Sequence, residues 1–101
     1  MGHKLGVPYV ILGKWTEQGI RNVKDAPKRA ADARKWAESH GGKLWTWYTL
    51  GEYDFISVLD APDDETAFEF ALNISKMGNA RTKTLKAWSS EDAAKVIGKV
   101  S

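Results

Sequence analysis

The sequence contains no cysteine and only two histidines, His3 and His40, in its 101 residues. The lack of cysteine excludes a disulfide framework and a thiolate-bound metal. The two histidines lie far apart in the chain and do not have the spacing of metal ligands. We therefore expect neither a metal nor a cofactor, and we interpret His40 as a residue at the C-terminal end of a helix.

Long apolar runs and a strong charge imbalance are also missing. The longest apolar run near the start, Val7 to Leu12, is far shorter than a membrane span, and no signal-peptide core is present. The net charge of +2, from 15 basic and 13 acidic residues, is too even to indicate a polyanionic partner. These features predict a cytoplasmic protein that binds neither membranes nor nucleic acid.

Tryptophan is the residue that is unusually common, with five copies, in a chain that is 43% hydrophobic and 28% charged. This composition and length are those of one soluble domain. Each tryptophan buries a large area and needs a partner for its indole N–H. We expect residues 1–7 to form a flexible N-terminal segment and residues 8–101 to form a single domain.

Apolar periodicity predicts four strands and three helical regions. The strands are expected at Tyr9–Trp15, Lys43–Leu50, Tyr53–Leu59 and Ala80–Trp88. The helices are expected from Gly19 to about His40 with an interruption at Pro27, from Pro62 to Met77, and after Ser89 or Ser90.

The resulting order, βαββαβ with a short C-terminal helix, is the ferredoxin-like arrangement of the α+β class. Right-handed crossovers predict a four-stranded antiparallel sheet of order 4-1-3-2 with both main helices on one face. In the last helix, Ala94, Ile97 and Val100 are expected to face inward. The basic residues of the first helix are interpreted as a solvated face; they are Lys24, Lys28, Arg29, Arg34 and Lys35.

The second face of this sheet is left without a cover, yet side-chain alternation makes both faces apolar. Val10 and Leu12 share one face of the first strand, and Trp45 and Trp47 share a face that the sequence does not identify. Because soluble monomers rarely expose such a patch, we expect a homodimer through the open sheet face. A platform for a ligand or for nucleic acid is the alternative.

Three loop segments are predicted to meet at one end of the sheet, namely residues 15–19, 51–54 and 78–82. They supply the candidate ligand-binding residues Trp15, Tyr53, Asp54 and Arg81. Asp54 could act as a general base or a substrate anchor, and Arg81 could clamp a carboxylate or phosphate. The interpretation that we favour is structural: Asp54 pairs with Arg81 or caps the turn at Thr16.

Four short strings carry a family resemblance: Trp-Thr-Glu-Gln-Gly-Ile-Arg at 15–21, Leu-Gly-Glu-Tyr-Asp at 50–54, Ala-Pro-Asp-Asp-Glu at 61–65 and Gly-Asn-Ala-Arg-Thr at 78–82. In this order they resemble the GYD domain family over roughly residues 8–98. The resemblance implies a ferredoxin-like fold that assembles as a dimeric α+β barrel. It implies no particular chemistry, since related barrels include cofactor-free monooxygenases, isomerases and haem enzymes.

Our first functional hypothesis is a small cytoplasmic domain that binds a small molecule in a cleft near the turn at 51–54. The alternatives are a non-catalytic structural or regulatory homodimer and a cofactor-free enzyme of the monooxygenase or isomerase type. RNA binding is disfavoured because the acidic Glu52 and Asp54 stand where an RNA-recognition motif has basic and small residues.

Overall fold

The structure, a computed structural model, describes residues 6–101. The elements in chain order are β1 (Val7–Trp15), α1 (Glu17–Arg21), a 3-10 turn (Val23–Asp25), α2 (Ala26–Ser39), β2 (Lys43–Tyr48), β3 (Phe55–Ala61), α3 (Asp64–Met77), β4 (Ala80–Lys86) and α4 (Ser90–Ile97). Val7 already belongs to β1, and the rest of the predicted flexible segment, with His3, falls mostly on residues 1–5, outside the described residues.

The four strands form one sheet of order β2-β3-β1-β4 in which all neighbours are antiparallel. This is the predicted order read from the opposite edge, so the ferredoxin-like α+β fold is confirmed. The hairpin between β2 and β3 is also confirmed, and residues 49–54 connect its two strands.

The helix boundaries follow local sequence signals. Pro27 lies in the first turn of α2, where its missing N–H costs no hydrogen bond, so the predicted interruption becomes a short α1 followed by a longer α2. The side chain of Asp63 caps α3 by accepting a hydrogen bond from the N–H of Thr66 at 2.8 Å. Gly78 ends α3 with φ of 77°, which glycine adopts without steric strain.

The core lies between the sheet and the two long helices. Its buried residues are Tyr9, Ile11, Ala37, Leu44, Leu59, Ala61, Ala67 and Phe70. The rings of Trp36 on α2 and Phe70 on α3 lie 5.5 Å apart, which joins the two helices above the sheet. Both long helices therefore cover the same face, as predicted.

The opposite face, which we call the open face, carries two apolar rows that cross all four strands. Strand register places Leu85, Val10, Val58 and Trp45 in one row, and Lys83, Leu12, Ile56 and Trp47 in the other. Trp45 is 42% exposed and Trp47 is 54% exposed. The structure therefore assigns both tryptophans to the open face, which the sequence had left undecided.

The C-terminal helix α4 differs from the prediction. None of its residues is buried. Ile97, its last residue, is 66% exposed, and Val100, three residues after it, is 75% exposed. The expectation that Ala94, Ile97 and Val100 face inward was wrong, because α2 and α3 already occupy the helix side of the sheet. Across residues 6–101, no helix has the length and apolar character needed to span a membrane.

Candidate functional site

The three loop segments meet at the end of β1, as the topology predicts. Trp15 at the end of β1 pairs with Ala80 at the start of β4, and Gly13 pairs with Phe55 at the start of β3. We call this edge of the sheet the loop end. The contacts at the loop end are structural, because the three segments form hydrogen bonds with one another.

The segment after β1 is joined to the turn between α3 and β4 by hydrogen bonds. The backbone N–H of Thr16 donates to the carbonyl of Asn79 at 3.1 Å, and its hydroxyl donates to the carbonyl of Gly78 at 2.6 Å. The amide of Gln18 donates to the carbonyl of Met77 and the side chain of Asn79, both at 3.0 Å. Gly19 is so close that a Cβ there would collide with the carbonyl oxygen of Asn79.

Asp54 is bound by the backbone of β1. Its Oδ2 accepts a hydrogen bond from the N–H of Trp15 at 2.8 Å, and its own N–H donates to the carbonyl of Gly13 at 2.8 Å. Thr49 closes the turn by donating its backbone N–H to the carbonyl of Asp54 at 2.9 Å and its hydroxyl to that of Tyr53 at 2.6 Å. The carboxylate therefore stabilises the loop end.

The predicted ion pair between Asp54 and Arg81 does not form within the described chain. The reason is geometric: β1 separates β3 from β4, and Arg81 pairs with Lys14 across the β1–β4 ladder. The alternative prediction, that Asp54 caps the turn at Thr16, is closer to the observed contact, since the Asp54 carboxylate accepts the N–H of Trp15, one residue earlier.

A cleft of about 660 Å³ lies between the long helices and the sheet and reaches the loop end. Its walls are largely apolar and include five aromatic side chains, those of Trp15, Trp36, Tyr48, Phe55 and Phe70. The Trp15 ring lies 5.1 Å from the Phe55 ring and 6.3 Å from the Tyr48 ring, in both cases tilted. This arrangement presents a curved apolar wall of ring faces and edges.

A small number of polar groups line the same cleft. The hydroxyls of Thr46 and Ser57, on neighbouring strands, lie 2.9 Å apart, and Ser57 is buried at 5% exposure. Arg29 of α2 lines the wall, with its guanidinium carbon 5.9 Å from the centre of the Trp15 ring. The cleft thus combines apolar walls with a hydroxyl pair on the sheet and a cation on a helix.

Of the predicted site residues, Trp15 lines the cleft. Tyr53 and Asp54 lie in the adjoining turn, where Lys14 Nζ is 5.3 Å from the centre of the Tyr53 ring. Arg81 lines a separate, more polar depression together with Thr16 and Gln18. The structure therefore brings the four residues to one end of the sheet without bringing them into one cavity.

Sequence reasoning missed Arg29, which it placed on a solvated face. A signal was available: Arg29 follows Ala26 by three residues and precedes Ala33 by four, so it lies on the apolar stripe of α2. The hydroxyl pair of Thr46 and Ser57 was missed because the two residues are neighbours only in the register of β2 against β3, and that register cannot be derived from the sequence alone.

A second polar cluster lies at the opposite end of β1. The Tyr9 hydroxyl donates to the Asp64 carboxylate, and Lys86 Nζ lies 3.1 Å from the same carboxylate. Burial of the phenol and then its hydrogen bond to Asp64 raise the pKa of Tyr9 to about 12. The hydrogen bonds from Tyr9 and then Lys86 lower the pKa of Asp64. This cluster joins β1, α3 and β4 outside the cleft.

Metal ligation finds no support in residues 6–101, where no group of three or more histidine or carboxylate side chains converges. His40 instead stacks on Trp36, with ring centres 3.8 Å apart, and its Nδ1 lies 2.7 Å from the carbonyl of Trp36. The imidazole thus takes part in the C-terminal turn of α2.

Comparison with known proteins gives a family and a distant relative. The chain is 28% identical over 81 residues, 78% of its own length and 85% of the other, to a protein of Thermus thermophilus named "Glutamine synthetase and cystathionine beta-lyase binding protein". No solved structure matches. The sequence pattern of the GYD domain matches residues 9–97, a span that includes all four strands almost completely and both long helices. That match takes in the loop end and the cleft together, and the chain belongs to the GYD domain family.

Proposed function

We propose that this protein binds a small, ring-bearing molecule in the cleft between its long helices and its sheet. The observation that carries the proposal is the cleft itself, a space of about 660 Å³ with five aromatic side chains in its lining. Pockets for small molecules commonly have volumes of about 300–1,000 Å³ and combine apolar walls with a few polar groups.

The walls define the shape of the ligand. Trp15, Tyr48 and Phe55 come from three different strands, and their tilted rings favour edge and face contacts with a planar molecule. The hydroxyls of Thr46 and Ser57 can each donate and accept, so they supply one orienting hydrogen bond from the sheet.

Among the four candidate residues, we assign Trp15 a direct contact with the ligand. Asp54 has an indirect role, since it holds the backbone N–H of Trp15 at the edge of the cleft. A ligand-binding role for Tyr53 and Arg81 remains a prediction. We favour binding over catalysis because the acid that lines the cleft, Asp32, is solvent-exposed and lies 3.2 Å from Lys28 rather than in a buried part of the cleft.

A cleft-filling variant tests this proposal. We expect aromatic fragments, screened by protein-observed NMR, to shift the resonances of cleft residues in the wild-type protein. Ala30→Phe places a ring in the cleft and should abolish these shifts, whereas the neighbouring Ala31→Phe, outside the lining, should preserve them. Fragment binding that survives Ala30→Phe in a folded protein would place the site elsewhere.

A second candidate function, protein binding, is favoured by the open face. Its two rows are apolar except for Lys83, and Trp45 and Trp47 leave large ring areas exposed. We propose that a second copy of the chain covers this face, because a two-fold axis buries the same rows on both copies. The name of the Thermus relative supports a further role in binding enzymes, and we propose a cytoplasmic location for both activities.

A further inference from the structure

We infer that Arg29 binds an anionic group of the ligand, so that the cleft takes planar aromatic carboxylates. The inference rests on the proposed function and specifies the chemical class of its ligand. It depends on Arg29, a cation in the cleft wall. Within the described residues, one of the guanidinium nitrogens of Arg29 has no hydrogen-bond acceptor.

The contacts of Arg29 are incomplete. Its Nη1 donates to the backbone carbonyl of Asn22 at 3.1 Å, and its guanidinium lies over the Trp15 ring. Its Nη2 is shielded from solvent and has no hydrogen-bond partner among residues 6–101. Within the same residues, Arg29 forms no ion pair.

A shielded guanidinium nitrogen without an acceptor is destabilising, because it has lost its hydration and gained nothing in return. A carboxylate matches the planar fork of arginine and supplies the missing acceptor. Arg29 lines the cleft, so a ligand held there lies beside its side chain.

The charges around the cleft agree with an anionic ligand. Asp32, which also lines the cleft, pairs with Lys28 at 3.2 Å and forms no ion pair with Arg29. Lys76 lines the cleft from α3 and adds a second positive charge. A ligand carboxylate would thus pair with Arg29, and the exposed Lys76 adds to the positive potential of the cleft.

The aromatic part of the ligand has its own partner. Trp15 lies beneath the guanidinium, so a ring that stacks against Trp15, Tyr48 or Phe55 can place a carboxylate substituent within reach of Arg29. The hydroxyls of Thr46 and Ser57 remain available for a second polar group on the ring system.

Isothermal titration with two probes of the same shape tests this inference. Naphthalene-2-carboxylate carries the charge, and naphthalene-2-carboxamide does not. We expect the wild-type protein to bind the carboxylate about 10-fold or more tightly than the carboxamide, since charge-assisted hydrogen bonds are stronger than neutral ones. Arg29→Gln should remove this preference by weakening the carboxylate alone.

Arg34→Gln is the matched control, because Arg34 belongs to the same helix, is exposed and does not line the cleft. It should leave the affinity for both probes unchanged. If Arg29→Gln lowers the melting temperature too far to be titrated, Arg29→Lys keeps the charge but loses the fork, and it should keep only part of the preference.

The possible outcomes separate the two proposals. Equal affinity for both probes in the wild type, or a preference that survives Arg29→Gln, overturns the role of Arg29 and leaves the cleft as a neutral binding site. Failure of both probes to bind, together with failure of the fragment screen, overturns the ligand-binding function and this inference with it.

Discussion

Individual polar side chains at the loop end act mainly on the backbone. Asp54 is the clearest case, since its carboxylate accepts the N–H of Trp15 at 2.8 Å and thereby connects β3 to the last residue of β1. Trp15 lines the cleft, so this hydrogen bond couples a structural residue to the cleft wall.

Replacement of Asp54 tests this role. Asp54→Ala should lower the free energy of unfolding by about 1–3 kcal/mol, because the Trp15 N–H loses its acceptor. Asp54→Asn retains a carbonyl oxygen and should cost less than about 1 kcal/mol. Urea denaturation followed by circular dichroism measures both values.

Arg81→Ala serves as the comparison, because Arg81 is exposed and does not contact Asp54. We expect the double variant to show the sum of the two single effects. A coupling energy above about 0.5 kcal/mol would show that Asp54 and Arg81 interact, as predicted from the sequence.

The cluster of Tyr9, Asp64 and Lys86 predicts a dependence on alkaline pH. The pKa of Tyr9 is raised to about 12, so the folded state keeps the phenol protonated where the unfolded chain, with a pKa near 10, ionises. The stabilising contribution is therefore complete below about pH 10 and is lost as the pH rises towards 12.

Tyr9→Phe isolates that contribution. At pH 7 the variant should be less stable than the wild type by about 1 kcal/mol, because the hydrogen bond to Asp64 is missing. Between pH 10 and pH 12 this difference should shrink, since only the wild type carries the perturbed phenol. Urea midpoints at pH 7 and pH 11 measure it, and a constant difference would contradict the assignment.

Whole elements are held in register by close backbone contacts. The start of α1 approaches the turn between α3 and β4 so closely that only glycine fits at position 19. Four hydrogen bonds from Thr16 and Gln18 lie around this contact. Two of the strings that resemble the GYD domain family therefore form one structural joint.

Gly19→Ala should disrupt this joint. The added methyl group meets the carbonyl oxygen of Asn79, so either α1 or the turn must move, at a cost of about 1–3 kcal/mol. Gly98→Ala is the control, because Gly98 has a helical φ of −62° and more room. Thermal unfolding of both variants tests the contrast, and equal melting temperatures would argue against a tight joint.

Element order and topology could be predicted because they depend on local signals. Pro27, Gly78 and the alternating strands define boundaries without knowledge of distant contacts. The position of Arg29 in the cleft wall was harder to predict, because a basic residue in a helix rich in basic residues has the composition of a solvated face. Its position above Trp15 exists only after β1 and α2 have packed together.

The face that carries Trp45 and Trp47 was undecided for a related reason. Side-chain alternation divides the residues of a strand between two faces but does not identify the face that contacts the helices. In β2 both faces carry aromatic residues. The packing of Leu44 and Tyr48 towards the cleft settles it. The neighbours of Asp54 likewise depended on strand order in three dimensions.

At the scale of the whole molecule, the exposed apolar rows of the open face are the basis for the proposed homodimer. Trp47→Glu should convert the proposed dimer to a monomer, because it places a charge within the apolar rows. Phe68→Glu is the control, since Phe68 is 66% exposed on α3, away from the open face. Sedimentation equilibrium measures the mass of each protein. A wild-type protein that stays monomeric at high concentration would refute the dimer.

The placement of the five tryptophans has a practical consequence. Trp15 and Trp36 line the cleft, Trp45 and Trp47 lie on the open face, and Trp88 is 60% exposed after β4. Indole emission responds to the polarity around the ring, so each surface contains its own optical reporter. In two separate variants, each keeping one pair of indoles and carrying phenylalanine at the other tryptophan positions, the fluorescence would follow the occupancy of the cleft or the association of the open face without an attached dye.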